Sequence, residues 1–344
     1  MAKKIWFLAL ILLASFFVTT NWHNISSISV ADSASQPERP LVIGYSNWAG
    51  WWPWAIAESK GFFAQHGANV ELRWYDDYTK SLEDLAAGHI DGNCQTLNDT
   101  ISFVADAVKG EVIVLVNDNS AGNDKIIATA DIQSVRDLVG RRVAVEAGVV
   151  DDFLLTLALE QEGLSRNDVA IVDLETGAAV EAFVAGQADG VGAFPPFWLT
   201  ALKRSGAKEI ISSAAFPGAI PDLLVVTQEL VEEHSETVAA LIDTWFEVLD
   251  FMASQPNEAD RIMAERAGVS ESELQLFKAG TKMFTAEDNL AAFSEGKTMK
   301  SLFYAADKIT DFLQQELKSI AQKPDLSQLF NPNFIKSYVL QRSQ

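Results

Sequence analysis

Basic residues are scarce in this chain. Its 344 residues hold 26 Lys and Arg against 47 Asp and Glu, a formal charge of −21. Nucleic acids and anionic lipid surfaces bind through basic patches, so neither is a partner for such a surface. Small cations are drawn to it and small anions weakly repelled. Cysteine is nearly missing: Cys94 is the only one. That excludes an internal disulfide, a cysteine-based metal site and a lipid-modified N-terminal cysteine. The four histidines, His23, His66, His89 and His234, are scattered without metal-ligand spacing, so no metal is expected. There is no GxSxG, P-loop or HExxH pattern, and nothing implies an enzyme or a cofactor.

Long apolar runs are missing beyond the N-terminus. After Lys3 and Lys4, residues 5–18 are almost wholly apolar, a stretch shorter than the ~20 residues of a membrane span. With Ser29-Val30-Ala31 as a small-residue cleavage site, residues 1–31 read as a secretory signal peptide. An uncleaved N-terminal anchor is the alternative. Cleavage would leave a mature charge of −23, since Lys3 and Lys4 are the only charges removed. Residues 32–40 read as a disordered leader.

What is abundant is tryptophan in one place. Between positions 48 and 54 there are four: Trp48, Trp51, Trp52 and Trp54. They follow Leu41-Val42-Ile43-Gly44-Tyr45, a short buried strand, and lead into a helical run over 51–60. A strand that ends in a small polar turn and opens a helix is where open α/β sheets hold ligands, because free N–H groups and the helix dipole meet there. One helix start cannot bury four indoles against its own strand, so Trp48 or Trp51 is expected to wall a pocket. Core packing of all four is the plain alternative.

Further strands are expected over 70–75, up to Cys94, and over 111–116, 125–128, 142–145, 169–172, 191–194, 209–212 and 223–227. Helices are expected over 81–87, from an Asn98 or Asp99 N-cap to 108, over 136–139, into 162 and over 178–184. Residues 117–124 read as a polar loop. Beyond Gln228 the chain turns helical: Val238, Leu241, Ile242, Trp245 and Leu249 keep the helical period. Ser270 with Glu273 forms a capping box, and 302–320 is a long amphipathic run. Residues 322–344 read as a polar surface tail.

The chain also echoes itself. Leu85-Ala86-Ala87-Gly88-His89-Ile90-Asp91-Gly92 matches Phe183-Val184-Ala185-Gly186-Gln187-Ala188-Asp189-Gly190 at an offset of 98, and Ala49-Gly50 matches Ala147-Gly148 at the same offset. Two matches beside strands at one offset indicate two similar α/β lobes. The loops at 46–54 and 146–152 then face each other across a cleft.

These residues carry a resemblance. Ala57-Glu58-Ser59-Lys60-Gly61-Phe62-Phe63, Gly67, Val70-Glu71-Leu72, the two Gly-x-x-Asp-Gly stretches and residues 134–145 occur in an order similar to that of one family. It is the nitrate/sulfonate/taurine group of ABC-importer periplasmic solute-binding proteins, which includes binders of thiamine-pyrimidine precursors. The resemblance covers about residues 41–310. It implies a two-lobed periplasmic-binding-protein fold, α/β with a mixed sheet flanked by helices in each lobe and a helical C-terminal part. It further implies a monomer that closes on one small molecule and delivers it to an ABC permease in the cytoplasmic membrane. Crossovers would fall near 128–131 and 221–224. Lobe 1 is then 41–128 with 225–321, and lobe 2 is 129–224. The cysteine-rich motif of the family's enzymatic branch has no counterpart here.

Polar residues on loops after strands should line the cleft. The candidates are Ser46, Trp48, Trp51, Asn98, Asp99, Asp124, Glu146 and Asp222. Carboxylates dominate, with Lys125 the only cation beside these loops. Indole faces with carboxylates suit a small planar or quaternary cation, guanidine first. Nitrate, sulfonate or taurine, and bicarbonate form the alternative class, and an exported ligand sensor is a second alternative. Each acid also has a plain structural role: Asp99 as an N-cap, Asp124 and Asp222 in turns, Glu146, Asp151 and Asp152 as complements to helix dipoles.

Overall fold

The computed structural model describes residues 39–342. The expected signal peptide and nearly all of the leader lie outside the described residues. The described residues contain eleven strands: β1 (Leu41–Tyr45), β2 (Val70–Trp74), β3 (Gly92–Thr96), β4 (Glu111–Ser120), β5 (Lys125–Ala128), β6 (Arg142–Val145), β7 (Ala170–Asp173), β8 (Gly190–Ala193), β9 (Lys208–Ser212), β10 (Pro221–Thr227) and β11 (Thr281–Met283). They form two sheets, ordered β11-β4-β10-β3-β1-β2 and β7-β6-β8-β5-β9.

The two sheets are wired alike, which is the structural content of the sequence echo. β1 runs parallel to β2 and β3, as β6 does to β7 and β8. β3 then meets antiparallel β10, and β8 meets antiparallel β5. Gly88 and Gly186 both adopt left-handed φ, 72° and 80°, and turn a helix end toward the next strand. Asp91 and Asp189 repeat one task. Asp91 accepts the Val42 backbone N–H (2.9 Å) and pairs with Arg39; Asp189 accepts the Arg142 N–H (3.1 Å) and pairs with the Arg142 guanidinium. Both carboxyls are held below the ordinary range, and for Asp189 the Arg142 hydrogen bond is the leading cause. Arg142 therefore sits at the end of its strand away from the loops that face the cleft.

The crossovers differ from expectation. β5 pairs with β8 and β9, so the chain changes sheet within 121–124, not at 128–131. It returns within 213–220, ahead of β10, not at 221–224. By sheet membership lobe 1 takes strands up to Ser120 and from Pro221 onward, and lobe 2 takes those from Lys125 to Ser212. The cause is β4. Residues 117–120 read as a loop because they are all polar, yet they continue the strand, buried and paired to β10 and β11. Ser120 and Ser213 hydroxyls bond at 2.7 Å and join the two crossovers. Asn123 is held by Phe277 O and Thr281 Oγ1, both at 2.8 Å.

The C-terminal half is helical, as its periodicity requires. The helix Ser235–Ser254 buries Val238, Leu241, Ile242 and Trp245, and the Ser270–Glu273 capping box is formed. The run expected over 302–320 is the helix Leu302–Asp311 followed by a π-turn, Phe312–Glu316. Among the described residues no helix is long and apolar enough to cross a membrane.

The expected polar tail is instead part of the fold. Ile113 donates its N–H to Leu329 O (2.7 Å) and accepts the Asn331 N–H (3.0 Å). The helix Asn333–Arg342 then buries Ile335 and Tyr338, and Tyr338 stacks on Phe246 at 4.4 Å between centroids. Phe334, Ile335, Tyr338 and Val339 recur at helical spacing and are enough to dock a short helix, and the polar average of the whole stretch hides them. Ile335→Ala should therefore cost about 2–4 kcal/mol in urea unfolding, as for other buried aliphatic truncations. A loss below ~0.5 kcal/mol would mean that the helix does not belong to the cooperative unit.

Candidate ligand-binding cleft

Between the two sheets lies a cavity of about 350 Å³. Its walls come from residues just past the C-terminal ends of β1, β2, β3, β6, β7 and β8, from the first crossover and from Ile220-Asp222. Six carboxylates line it: Asp76, Asp77, Asp124, Glu146, Glu175 and Asp222. Five aromatic rings join them: Trp48, Trp51, Tyr78, Phe194 and Phe197. Among the described residues no Lys, Arg or His does. Lys125, the expected nearby cation, is turned away onto Glu209 at 2.5 Å and over the Trp198 ring at 5.1 Å.

Six of the eight sequence-predicted residues line this space: Ser46, Trp48, Trp51, Asp124, Glu146 and Asp222. Asn98 and Asp99 do not. Asn98 sends its Nδ2 to Gly148 O of the other lobe at 2.5 Å and so bridges the cleft. Asp99 accepts Tyr78 Oη (2.8 Å), Thr96 Oγ1 (2.7 Å) and Asn98 Nδ2 (3.2 Å). Tyr78 Oη also accepts the Thr96 N–H at 3.0 Å, and its ring stands 5.5 Å from Trp51. Asp99 thus positions a wall from behind it. The N-cap of the helix Leu97–Phe103 is Thr96, two residues before Asn98 and three before Asp99, and the helix stops short of 108.

The tryptophans divide. Trp48 and Trp51 face the cavity, their rings 6.4 Å apart. Trp52 packs on Phe277, and Trp54 lies between Phe63 and Trp245. Behind Trp48 stands Asp118 of β4, which the sequence reading missed: Trp48 Nε1 donates to its Oδ1 at 3.1 Å. Gly50 is required there, since a Cβ at that position would come within 1.7 Å of Asp118 Oδ2. Tyr78 and Glu175 also went unnamed, although they too follow strands and the same rule applied further would have found them. Asp118 lay on the same expected polar loop, 117–124, as Asp124 and was passed over, while Phe194, apolar and within the strand expected over 191–194, carried no such signal.

Electrostatically the cleft is a cluster of acids with few donors. Burial pushes Asp124 up to about 6, and neither of its carboxylate oxygens has a partner among the described residues. Burial, reinforced by the neighbouring Asp118 charge, pushes Asp222 well up, and burial does the same for Asp118. Asp99 and Glu146 are raised by burial against the pull of their hydrogen-bond donors.

Of the helix starts that border the cleft, that of Thr176–Val184 is occupied by carboxylates, whereas those of Val150–Gln161 and Phe197–Ala201 have no side-chain cap. Glu146 Oε2 accepts both Thr176 N–H (3.0 Å) and Thr176 Oγ1 (2.9 Å). Glu175 Oε2 accepts the Ala178 N–H at 3.1 Å. Asp151 and Asp152 accept the Glu146 and Gly148 N–H groups ahead of the helix Val150–Gln161. Asp152 is further paired with Arg166 at 2.9 Å. At the Thr176–Val184 start the donors that would receive an anion are spent on the protein's own carboxylates.

The NMT1/THI5-like family model matches residues 49–259. A Brucella abortus (strain 2308) protein whose name assigns it binding and no ligand is 26% identical over 293 residues, 84% of this chain and 89% of its own. The taurine-binding periplasmic protein of Escherichia coli (strain K12) is 25% identical over 296 residues, 83% of this chain and 89% of its own. Among solved structures, the periplasmic aliphatic sulphonate binding protein SsuA from Escherichia coli superposes with a TM-score of 0.69 at 20% identity, over 86% of this chain and 93% of that one. The shared two-sheet wiring, the cleft at the strand ends and the family match lead to one conclusion: this chain belongs to the NMT1/THI5-like family, with the fold of a periplasmic solute-binding protein.

Proposed function

We propose that this protein is the periplasmic solute-binding component of an ABC importer, handing its solute to a membrane permease, and that the solute is a small nitrogen-rich cation of the guanidinium type. One observation carries the ligand class: the cleft combines unpaired carboxylate oxygens with aromatic faces, and its lining holds no cation. A planar cation between Trp48 and Trp51 would gain about 0.5–2 kcal/mol per desolvated cation–π contact. Its N–H groups would meet Asp124 and Asp222, which otherwise carry the cost of unpaired burial. Guanidinium has four heavy atoms, on the order of 100 Å³ at ~30 Å³ per water-sized group. The cavity therefore also has room for bridging waters or an N-substituent.

The related taurine binder supports a second reading, in which a sulfonate or nitrate occupies the cleft. The carboxylates that line the cleft and occupy the Thr176–Val184 helix start argue against it, because an incoming anion would meet negative charge there. Calorimetric titration of residues 32–344 with guanidinium, methylguanidine, choline, taurine and nitrate separates the two. Binding of guanidinium or its methyl derivative with no heat from taurine or nitrate is expected. Taurine or nitrate binding alone would overturn the cation reading and leave the importer assignment standing.

A further inference from the structure

Asp118 and Asp222 form a pair that the cleft's lining alone does not explain. They are partners in the antiparallel register of β4 and β10, which places both side chains on one face of the sheet. Both are fully buried, and each has an Oδ2 without a partner. Two ionised carboxylates are acceptors only and repel at this distance, so a buried pair of this kind holds one proton between its members.

Among the described residues no Lys, Arg or His acts on the pair. Trp48 Nε1, from the loop after β1, is the donor on Asp118 Oδ1. Asp124 of the crossover and Asp99 of the helix Leu97–Phe103 add negative potential. Cys94 on β3 and Tyr78 face the pair as neutral groups, both with protonation pushed well up by burial. Lys125 is turned onto Glu209. Asp222 reaches the cavity, whereas Asp118 is not part of its lining.

We propose that a cation entering the cleft expels the proton shared by Asp118 and Asp222, so that solute capture is an exchange of one cation for one proton. The inference rests on the cation reading above. The proton leaves Asp222 for solvent as the ligand's charge takes its place; no covalent bond to the ligand forms, and the net charge of the site is unchanged. Asp118 acts through Asp222 as a positioning residue that keeps this proton in the empty cleft and aims the Trp48 indole. Binding is then tighter at higher pH: the association constant rises about tenfold per pH unit while one proton is released per ligand bound.

The test is titration of the wild-type protein with guanidinium chloride at pH 6.5 in phosphate and in Tris, whose ionisation enthalpies differ. The expected result is a buffer-dependent heat equal to about one proton released per cation bound. Asp118→Asn leaves the cavity lining in place and should lower that count by about one, with circular dichroism reporting its fold. Clear binding with buffer-independent heat in the wild type overturns the exchange and leaves the cation reading intact. A proton count unchanged in a folded Asp118→Asn variant moves the proton to another acid and also overturns it. No guanidinium binding at all overturns the ligand reading itself.

Discussion

Asp222→Asn is expected to weaken guanidinium binding by about thirtyfold or more while making the ligand-free protein harder to melt. The two effects have one origin. Removing one member of a buried charge contact costs about 2–5 kcal/mol of binding, and every ~1.4 kcal/mol is a factor of ten. In the empty cleft Asp222 has no compensating cation and stands beside Asp118, Asp124 and Asp99. A neutral amide sits there without needing a shared proton and can donate a hydrogen bond to Asp118. Calorimetry for affinity and scanning calorimetry for melting check the two halves. Asp76→Asn is the contrast. Asp76 lies at the exposed mouth, accepting Trp74 Nε1 at 2.9 Å, and exposed charges contribute about 0–1 kcal/mol. Equal affinity losses for Asp222→Asn and Asp76→Asn would mean that net charge attracts the ligand and that no specific contact at Asp222 holds it.

The second large effect is on stability against pH. Glu111 is buried at the start of β4, with Gln95 Nε2 as the donor to its Oε2 at 3.2 Å, and burial pushes it up to about 8. Asp124 is pushed up to about 6, and Asp118, Asp222, Asp99, Asp151 and Glu146 are displaced in the same direction. An acid with a raised folded pKa keeps its proton in the native state where the unfolded chain has lost it. Its contribution is intact below the unfolded value, near 4, and is lost as pH rises through the folded value. The ligand-free protein should therefore melt at higher temperature as pH falls from 8 toward 5, by about 1.4 kcal/mol per pH unit for each proton involved. Acids held low by partners, such as Asp84 at about 2 through its Lys80 hydrogen bond, reverse the trend only in stronger acid. Glu111→Gln should flatten the upper part of the curve, between about pH 6 and 8. Melting scans across pH that rise toward alkali would refute the assignment of these buried acids as protonated.

Asp118 shows where reading the chain stopped. Asn117-Asp118-Asn119-Ser120 has no apolar residue, and strand patterns are recognised by apolar residues, so the stretch reads as a loop. In the fold its polar side chains are covered from both sides and its backbone is paired on both edges. The C-terminal helix escaped notice for another reason: Phe334, Ile335, Tyr338 and Val339 keep the helical period over only ten residues, inside a stretch whose average is polar, and Phe246 gives Tyr338 its partner only in the fold. The lobe boundaries shifted because β5 looks like any apolar strand, and its choice of β8 and β9 as neighbours is a long-range decision.

The sequence by itself determined the architecture. Strands, helices and capping are written in local periodicity, and the repeated Gly-x-x-Asp-Gly declares two lobes because each copy performs the same turn and the same carboxylate-to-backbone bond. It also determined that an indole would meet acids where β1 opens into its helix. The tertiary structure alone decided which acids share a space. Asp118 and Asp222 are over a hundred residues apart and meet only through the register of β4 with β10. Whether a carboxylate caps a helix, holds a neighbour in place or faces a ligand depends on burial and on the donors within ~3 Å, and neither is a local property of the chain.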